Sequence, residues 1–162
     1  ELKLDEADGE VLAKGPSMFS GYWGRPEADL EAFTDGWFRT GDLAQVGPDG
    51  YLTISGRSKE LIITGGLNVY SREVEEVLVG HVSVAEVAVI GKASVEWGEE
   101  VVAWVVPIVG ASCPSVEELR EFASETLASY KLPRRVIETT ILPRNALGKV
   151  LRHEMRDPVV DG

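Results

Sequence analysis

The sequence predicts an α+β protein in two parts: the end of a small β subdomain, followed by a compact domain with a three-stranded sheet flanked by helices. Three observations carry this. Up to Gly66 the chain alternates strand-like runs with glycine-rich turns, and no helical pattern exceeds two turns. From Val69 the order becomes helix, strand, strand, helix, strand, helix. Between them lies Gly56-Arg57-Ser58-Lys59-Glu60-Leu61-Ile62-Ile63-Thr64-Gly65-Gly66, where a charged run leads into an apolar one and then two glycines. This stretch therefore reads as a joint between two domains, with an arginine facing a nucleotide.

Elements follow in order. Glu10 to Lys14 is a strand ended by Gly15-Pro16, and the aromatic segment Met18 to Pro26 is expected to pack its rings back onto a small core. Pro26 to Phe33 reads as one or two helical turns with Leu30 and Phe33 on one side. Asp35-Gly36 is a turn, Trp37 to Leu43 a strand, and Gly47-Pro48-Asp49-Gly50 a second turn. Tyr51 to Ser55 alternates as a half-buried strand, which makes 37–55 a hairpin, and Leu61 to Thr64 offers another strand.

Ser71 is expected to cap a helix carrying Glu73, Glu75 and Glu76, with Val74, Val77 and Leu78 at helical spacing and Gly80 as its stop. Val84 to Gly91 and Val101 to Val109 are β-branched strands joined by a loop, Lys92 to Glu100. Ser115-Val116-Glu117-Glu118 is a capping box, followed by Leu119, Phe122, Ala123 and Leu127 on one face. Pro133 forbids continuation much beyond Tyr130. Val136 to Leu142 is the last strand and Leu151 to Met155 a terminal helix.

Composition narrows the function. With 162 residues, 44% apolar and 27% charged, the chain can bury a core without staples. A net charge of −11 argues against nucleic-acid or membrane partners, whose phosphates such a surface repels. A polyphosphate ligand would need local positive charge, and basic residues cluster between Lys131 and Arg156. The single cysteine, Cys113, excludes an internal disulfide framework and fits a reducing, cytoplasmic compartment. It lies in a turn-like run with no nearby histidine and reads as an incidental loop residue. No apolar run reaches transmembrane length, and no signal-peptide layout opens the chain. Beginning at Glu1 in what looks like mid-domain sequence, it reads as a fragment. His81 and His153 stand apart and no zinc or calcium pattern exists, so no protein-held metal is expected in these residues.

Three stretches carry chemistry. Thr40-Gly41-Asp42 puts a carboxylate at a strand end behind a glycine, suited either to the cis-diol of a ribose or to ordinary turn chemistry. Arg57 reaches the same point if 37–55 is a hairpin; otherwise it makes a surface ion pair of at most about 1 kcal/mol. Pro143-Arg144-Asn145-Ala146-Leu147-Gly148-Lys149 is a loop delivering one lysine, a compact charge suited to a phosphate or carboxylate in reaction, or simply a solvated side chain. It lacks the spacing of a Walker loop. Gly65-Gly66 permits close approach to bare backbone, or merely a tight turn.

Taken in order, TGDL (40–43), GRSKELIITGG (56–66) and PRNALGK (143–149) resemble the C-terminal portion of the adenylate-forming enzymes, with support from GWFRTGD, GPDGY, NVYSREVEEVL, VAEVAVIG and YKLPRRV. The flavour, carried by ITGGLNVYSREVEE, is that of acyl-CoA synthetases, particularly malonyl-CoA and other short- or medium-chain acyl-CoA ligases. Ser71 stands where such enzymes commonly have proline, 81–84 lacks a frequent proline, and Lys92-Ala93-Ser94 replaces a common Val-Pro-Asp.

The resemblance implies ATP and coenzyme A as substrates, with magnesium held outside these residues. It implies that 1–57 ends a large N-terminal adenylation domain, which is the partner of a mobile domain, 58–162. Asp42 would hold the ribose, Arg57 the ribose and phosphate, and Lys149 the α-phosphate and the attacking carboxylate. Ser58 and Lys59 would form the hinge. Gly65, Gly66 and Leu67 would lie along the pantetheine arm, and Lys131, Arg134 and Arg135 toward its phosphates; Trp97 and Tyr130, in loops flanking the sheet, would either pack, the role favoured for both, or touch coenzyme A. Two alternatives stand beside this: a carrier-protein thiol or an oxidative second step, and a non-catalytic interaction module.

Overall fold

The computed structural model describes residues 1–155, in two compact units that meet between Lys59 and Glu60. The first is built on one antiparallel sheet. Its strands are β1 (Leu2–Leu4), β2 (Glu10–Ala13), β3 (Phe33–Thr34), β4 (Trp37–Val46) and β5 (Leu52–Arg57), with helix α1 (Pro26–Ala32) before β3. The long β4 pairs with β2, β3 and β5. Asp35 and Gly36 both take left-handed backbone, with φ of +50° and +78°, which is what a two-residue turn between right-twisted strands needs. The Gly47–Gly50 turn closes with Gly47 N–H donating to Tyr51 at 2.8 Å. Val11, Leu12, Leu43 and Ala44 form the buried core. The Phe19 ring meets those of Tyr22, Phe33 and Phe38 at 5.0–5.3 Å, edge to face, so Phe19 and Tyr22 pack back as expected, whereas Trp23 of the same segment is fully exposed. Leu30 does not join it and is 83% exposed.

The second unit holds β6 (Leu61–Thr64), β7 (Leu67–Tyr70), α2 (Ser71–Leu78), β8 (Val84–Ser94), β9 (Gly98–Pro107), α3 (Val116–Ser124) and β10 (Arg135–Glu138). The class is α+β as expected, but the sheet has five strands rather than three. Gly65 and Gly66, at φ +57° and +79°, make a two-residue turn that pairs β6 with β7, and Thr64 bridges to Gly98 on β9. Leu61–Thr64 thus pairs within this sheet, and 67–70 is a strand because the turn folds it back.

The loop expected over 92–100 is also shorter: β8 and β9 pair continuously down to Ser94↔Gly98. β10 lies parallel to β9 and stops at Glu138. The terminal helix is a single 3₁₀ turn, Arg152–Glu154.

Two-residue periodicity along β9 explains its unbroken apolar run. Val101, Ala103 and Val105 enter a core with α2 and α3, while Val102 and Trp104 face a second cluster with Ile137, Leu142 and Met155. α2 contributes Val74 and Leu78, and α3 contributes Leu119 and Ala123. The capping box at Ser115 forms in both directions, with Glu118 N–H on the serine hydroxyl and Ser115 N–H on the Glu118 carboxylate. Ser71 does not cap α2. The cap is Tyr70, and the buried Ser71 hydroxyl instead donates to the Glu60 carbonyl at 2.7 Å, a bond that becomes available because β6 begins beside it.

Candidate functional site

In the first unit the geometry centres on Asp42. Between Leu12↔Arg39 and Glu10↔Leu43, β4 carries two more residues than β2, and Gly41 sits in that bulge at φ +75°. Bulges re-aim side chains. This one is held by the buried Glu10, whose carboxylate accepts the Gly41 N–H at 2.7 Å and pairs with Arg39. Thr40 Oγ1 donates to Val11 O at 2.7 Å and accepts Asp42 N–H at 3.1 Å. On the other flank Asp42 stands directly opposite Arg57, and Arg57 Nε lies 2.9 Å from Asp42 Oδ1. The two residues come together as the hairpin required. Both are partly exposed, with side chains 32% and 52% accessible. Glu10 had no local signal in the sequence, since its partner glycine lies thirty-one positions away.

In the second unit the 143–149 loop is a closed hairpin. Arg144 and Val150 bridge, and the Asn145 side chain accepts the N–H groups of Leu147 and Lys149 at 3.0 and 2.9 Å. Gly148 takes φ +82° at the tip, and Arg144 donates to its carbonyl while pairing with Glu86 on β8. The Lys149 backbone is therefore fixed while its side chain is exposed. Just beyond it, Arg152 spans two carboxylates: Nη2 lies 2.7 Å from Glu75 on α2, and Nη1 lies 3.2 Å from Glu60. Burial pushes the Glu75 carboxyl above the usual range, against the opposing Val89 N–H and Arg152.

A second corner of this unit gathers the glycine turn. Gly65 N–H donates to Trp97 O at 2.8 Å, and a Cβ on Gly65 would lie 3.3 Å from the Trp97 ring. The Arg134 guanidinium stacks on that ring at 3.8 Å from its centroid, a cation–π contact. Leu67 is exposed at the turn's end. Tyr130 is half-buried against the core. Of the basic residues, Lys131 is engaged by Glu73 at 2.5 and 2.8 Å and Arg135 by Glu100 at 3.3 Å. Ser58 and Lys59 lie in a 3₁₀ turn, Ser58–Glu60. Burial, with the field of Glu138, pushes the Cys113 thiol up, which keeps it protonated and weakly nucleophilic. Among the described residues no group of three or more His, Cys, Asp or Glu could hold a metal, and no helix is long and apolar enough to cross a membrane.

Residues 73–149 match the family model described as the AMP-binding enzyme C-terminal domain. The chain is 42% identical over 153 residues to the long-chain-fatty-acid–CoA ligase FadD13 of Mycobacterium tuberculosis, covering 94% of this chain and 30% of that one. Among solved structures, ATP-bound MatB from Rhodopseudomonas palustris superposes at a TM-score of 0.83 with 41% identity, covering 93% of this chain and 30% of the other. The o-succinylbenzoate CoA synthetase MenE of Bacillus subtilis, with its acyl-adenylate intermediate, superposes at 0.87 with 36% identity, covering 98% and 34%. The chain thus spans about a third of the length of these relatives.

Proposed function

Because the chain carries an AMP-binding enzyme C-terminal domain, we propose that it is the C-terminal part of an ATP-dependent acyl-CoA synthetase. A carboxylic acid attacks the α-phosphate of ATP, giving an acyl-adenylate and pyrophosphate. The thiol of coenzyme A then attacks the acyl carbonyl, forming the thioester and releasing AMP. The observation that carries this reading is that relatives named for unlike acids, a long-chain fatty acid and o-succinylbenzoate, share 42% and 36% identity with nearly all of this chain. What their names have in common is ligation to coenzyme A.

In this reading residues 1–57 end the large N-terminal domain, and 58–162 form the mobile one, turning about Ser58 and Lys59. Asp42 accepts hydrogen bonds from the ribose hydroxyls. Arg57, in register with it, orients that carboxylate and faces the ribose and phosphate. Lys149 offsets the charge that develops on the α-phosphate oxygens during adenylation. The Gly65–Gly66 turn and Leu67 then line the pantetheine arm, with Trp97, Tyr130 and the stacked Arg134 beside it. Magnesium would travel with ATP and be held by the remainder of the enzyme. The lone cysteine supports a cytoplasmic location.

The test is pyrophosphate release by the full-length enzyme against a panel of carboxylic acids, followed by AMP release on addition of coenzyme A. Acid-dependent pyrophosphate release without a coenzyme A-dependent second step would leave adenylation and remove the thioester.

A further inference from the structure

β8 carries a glycine, Gly91, in its middle, and its φ is not in the left-handed region that would call for one. A glycine inside a strand sacrifices packing and conformational entropy, and it marks a place where another group comes close. Here that group is the carboxylate of Glu99. A Cβ on Gly91 would lie 2.8 Å from Glu99 Oε1 and 3.2 Å from Oε2, nearer than a side chain tolerates. The slot left by Gly91 seats the carboxylate, and from it Oε2 accepts the backbone N–H of Ile63 on β6 at 2.7 Å.

That bond lies one residue from the bridge Thr64↔Gly98, through which β6 joins β9. Gly65 N–H follows at once, on Trp97 O at 2.8 Å. The glycine turn is therefore fastened to the tip of the β8–β9 hairpin by three successive ties: Glu99 on Ile63, Gly98 on Thr64 and Trp97 on Gly65. Glu99 is the only one of them made by a side chain, so it can be altered without touching the backbone.

We propose that Glu99, seated in the gap at Gly91, is a positioning residue for the Gly65–Gly66 turn and hence for the thioester-forming step alone. This rests on the acyl-CoA synthetase reading above. Lys149 and its hairpin make none of these ties, so adenylation does not depend on them. Misplacing groups that guide a substrate costs on the order of tenfold to a hundredfold.

The test uses the full-length enzyme in three single variants and one double. In Glu99→Ala, coenzyme A-dependent AMP release from preformed acyl-adenylate should fall on the order of tenfold or more, with pyrophosphate release unchanged within about twofold. Gly91→Ala keeps the carboxylate but evicts it, and should give the same split. Glu99→Gln retains an acceptor for Ile63 N–H and should remain near wild type. The double variant Gly91→Ala/Glu99→Ala should be no worse than Glu99→Ala, because the two act through one contact.

Amide hydrogen exchange across 63–67 should quicken in Glu99→Ala and Gly91→Ala, a readout that needs no activity. Equal loss of both half-reactions, an unchanged thioester step, a Gln variant as impaired as the Ala variant, or additivity in the double variant would each overturn the proposal. A wild-type enzyme that never releases AMP on addition of coenzyme A would count instead against the acyl-CoA synthetase reading. In that case unchanged amide exchange would overturn the tie itself.

Discussion

At Lys149 two requirements that usually conflict are met together. The backbone is held by the Asn145 side chain and by Arg144, while no ion pair within the described residues engages the ammonium. A charge used in one step of a reaction needs that combination: a fixed origin and an uncommitted end. Replacing Lys149 with alanine in the full-length enzyme should lower acid-dependent pyrophosphate release roughly a hundredfold to a thousandfold. Reaction of preformed acyl-adenylate with coenzyme A should persist, and rapid-quench assays of the two half-reactions would distinguish them.

Three residues on, Arg152 needs its fork, because one nitrogen serves Glu60 and another Glu75. Arg152→Gln should destabilise the second unit by about 2 kcal/mol, between the values for exposed and for buried pairs. A shift of the urea midpoint at constant slope would register it.

Among the elements, α3 offers the clearest energetic test. Its start is set by the reciprocal bonds between Ser115 and Glu118, and its buried residues are Leu119 and Ala123. Ser115→Ala should cost about 1 kcal/mol in thermal or denaturant unfolding. The hydrogen bonds from Ser115 hold the Glu118 carboxyl below its ordinary range. A carboxylate with a lowered folded-state pKa adds stability that is fully present above its unfolded value near 4.5 and is lost as pH falls through the lower folded value. Because the main donor to that carboxylate is the Ser115 backbone N–H, which alanine keeps, the variant that tests this is Glu118→Gln: its stability difference from wild type should be largest at neutral pH and shrink as the pH falls below 4.5.

At the scale of the whole molecule the joint is short. Arg57 is paired in the ladder with Asp42, and Glu60 is already tied to Ser71 and Arg152. Only Ser58 and Lys59 stand between these anchored residues, so the rotation proposed above would fall on a few dihedrals. Proline at 59 freezes φ there and restricts Ser58 as well. Lys59→Pro should impair thioester formation at least tenfold more than adenylation, as measured by single-turnover kinetics of each step. Equal effects on the two would remove the hinge from this position.

Local signals in the sequence were enough for the features that depend on neighbours along the chain. The capping box at Ser115, the turns at Asp35-Gly36 and Gly47–Gly50, the strands at Glu10, Trp37, Val84 and Val101, and the order of TGDL, GRSKELIITGG and PRNALGK are all of this kind. They could be read because capping, turn geometry and two-residue alternation involve groups only a few residues apart.

Tertiary structure alone decided what depends on register and on distant partners. The sequence offers 61–64 as a strand but not its neighbours, and only the fold pairs it with β7 and β9. Ser71 looks like a cap until the Glu60 carbonyl is brought to its hydroxyl. Glu10 under Gly41, Glu99 in the space at Gly91 and Arg152 across Glu60 and Glu75 join residues eight to ninety-two positions apart. Such contacts leave no periodic trace, because a carboxylate that satisfies a backbone N–H in a distant strand looks in sequence like any other surface charge.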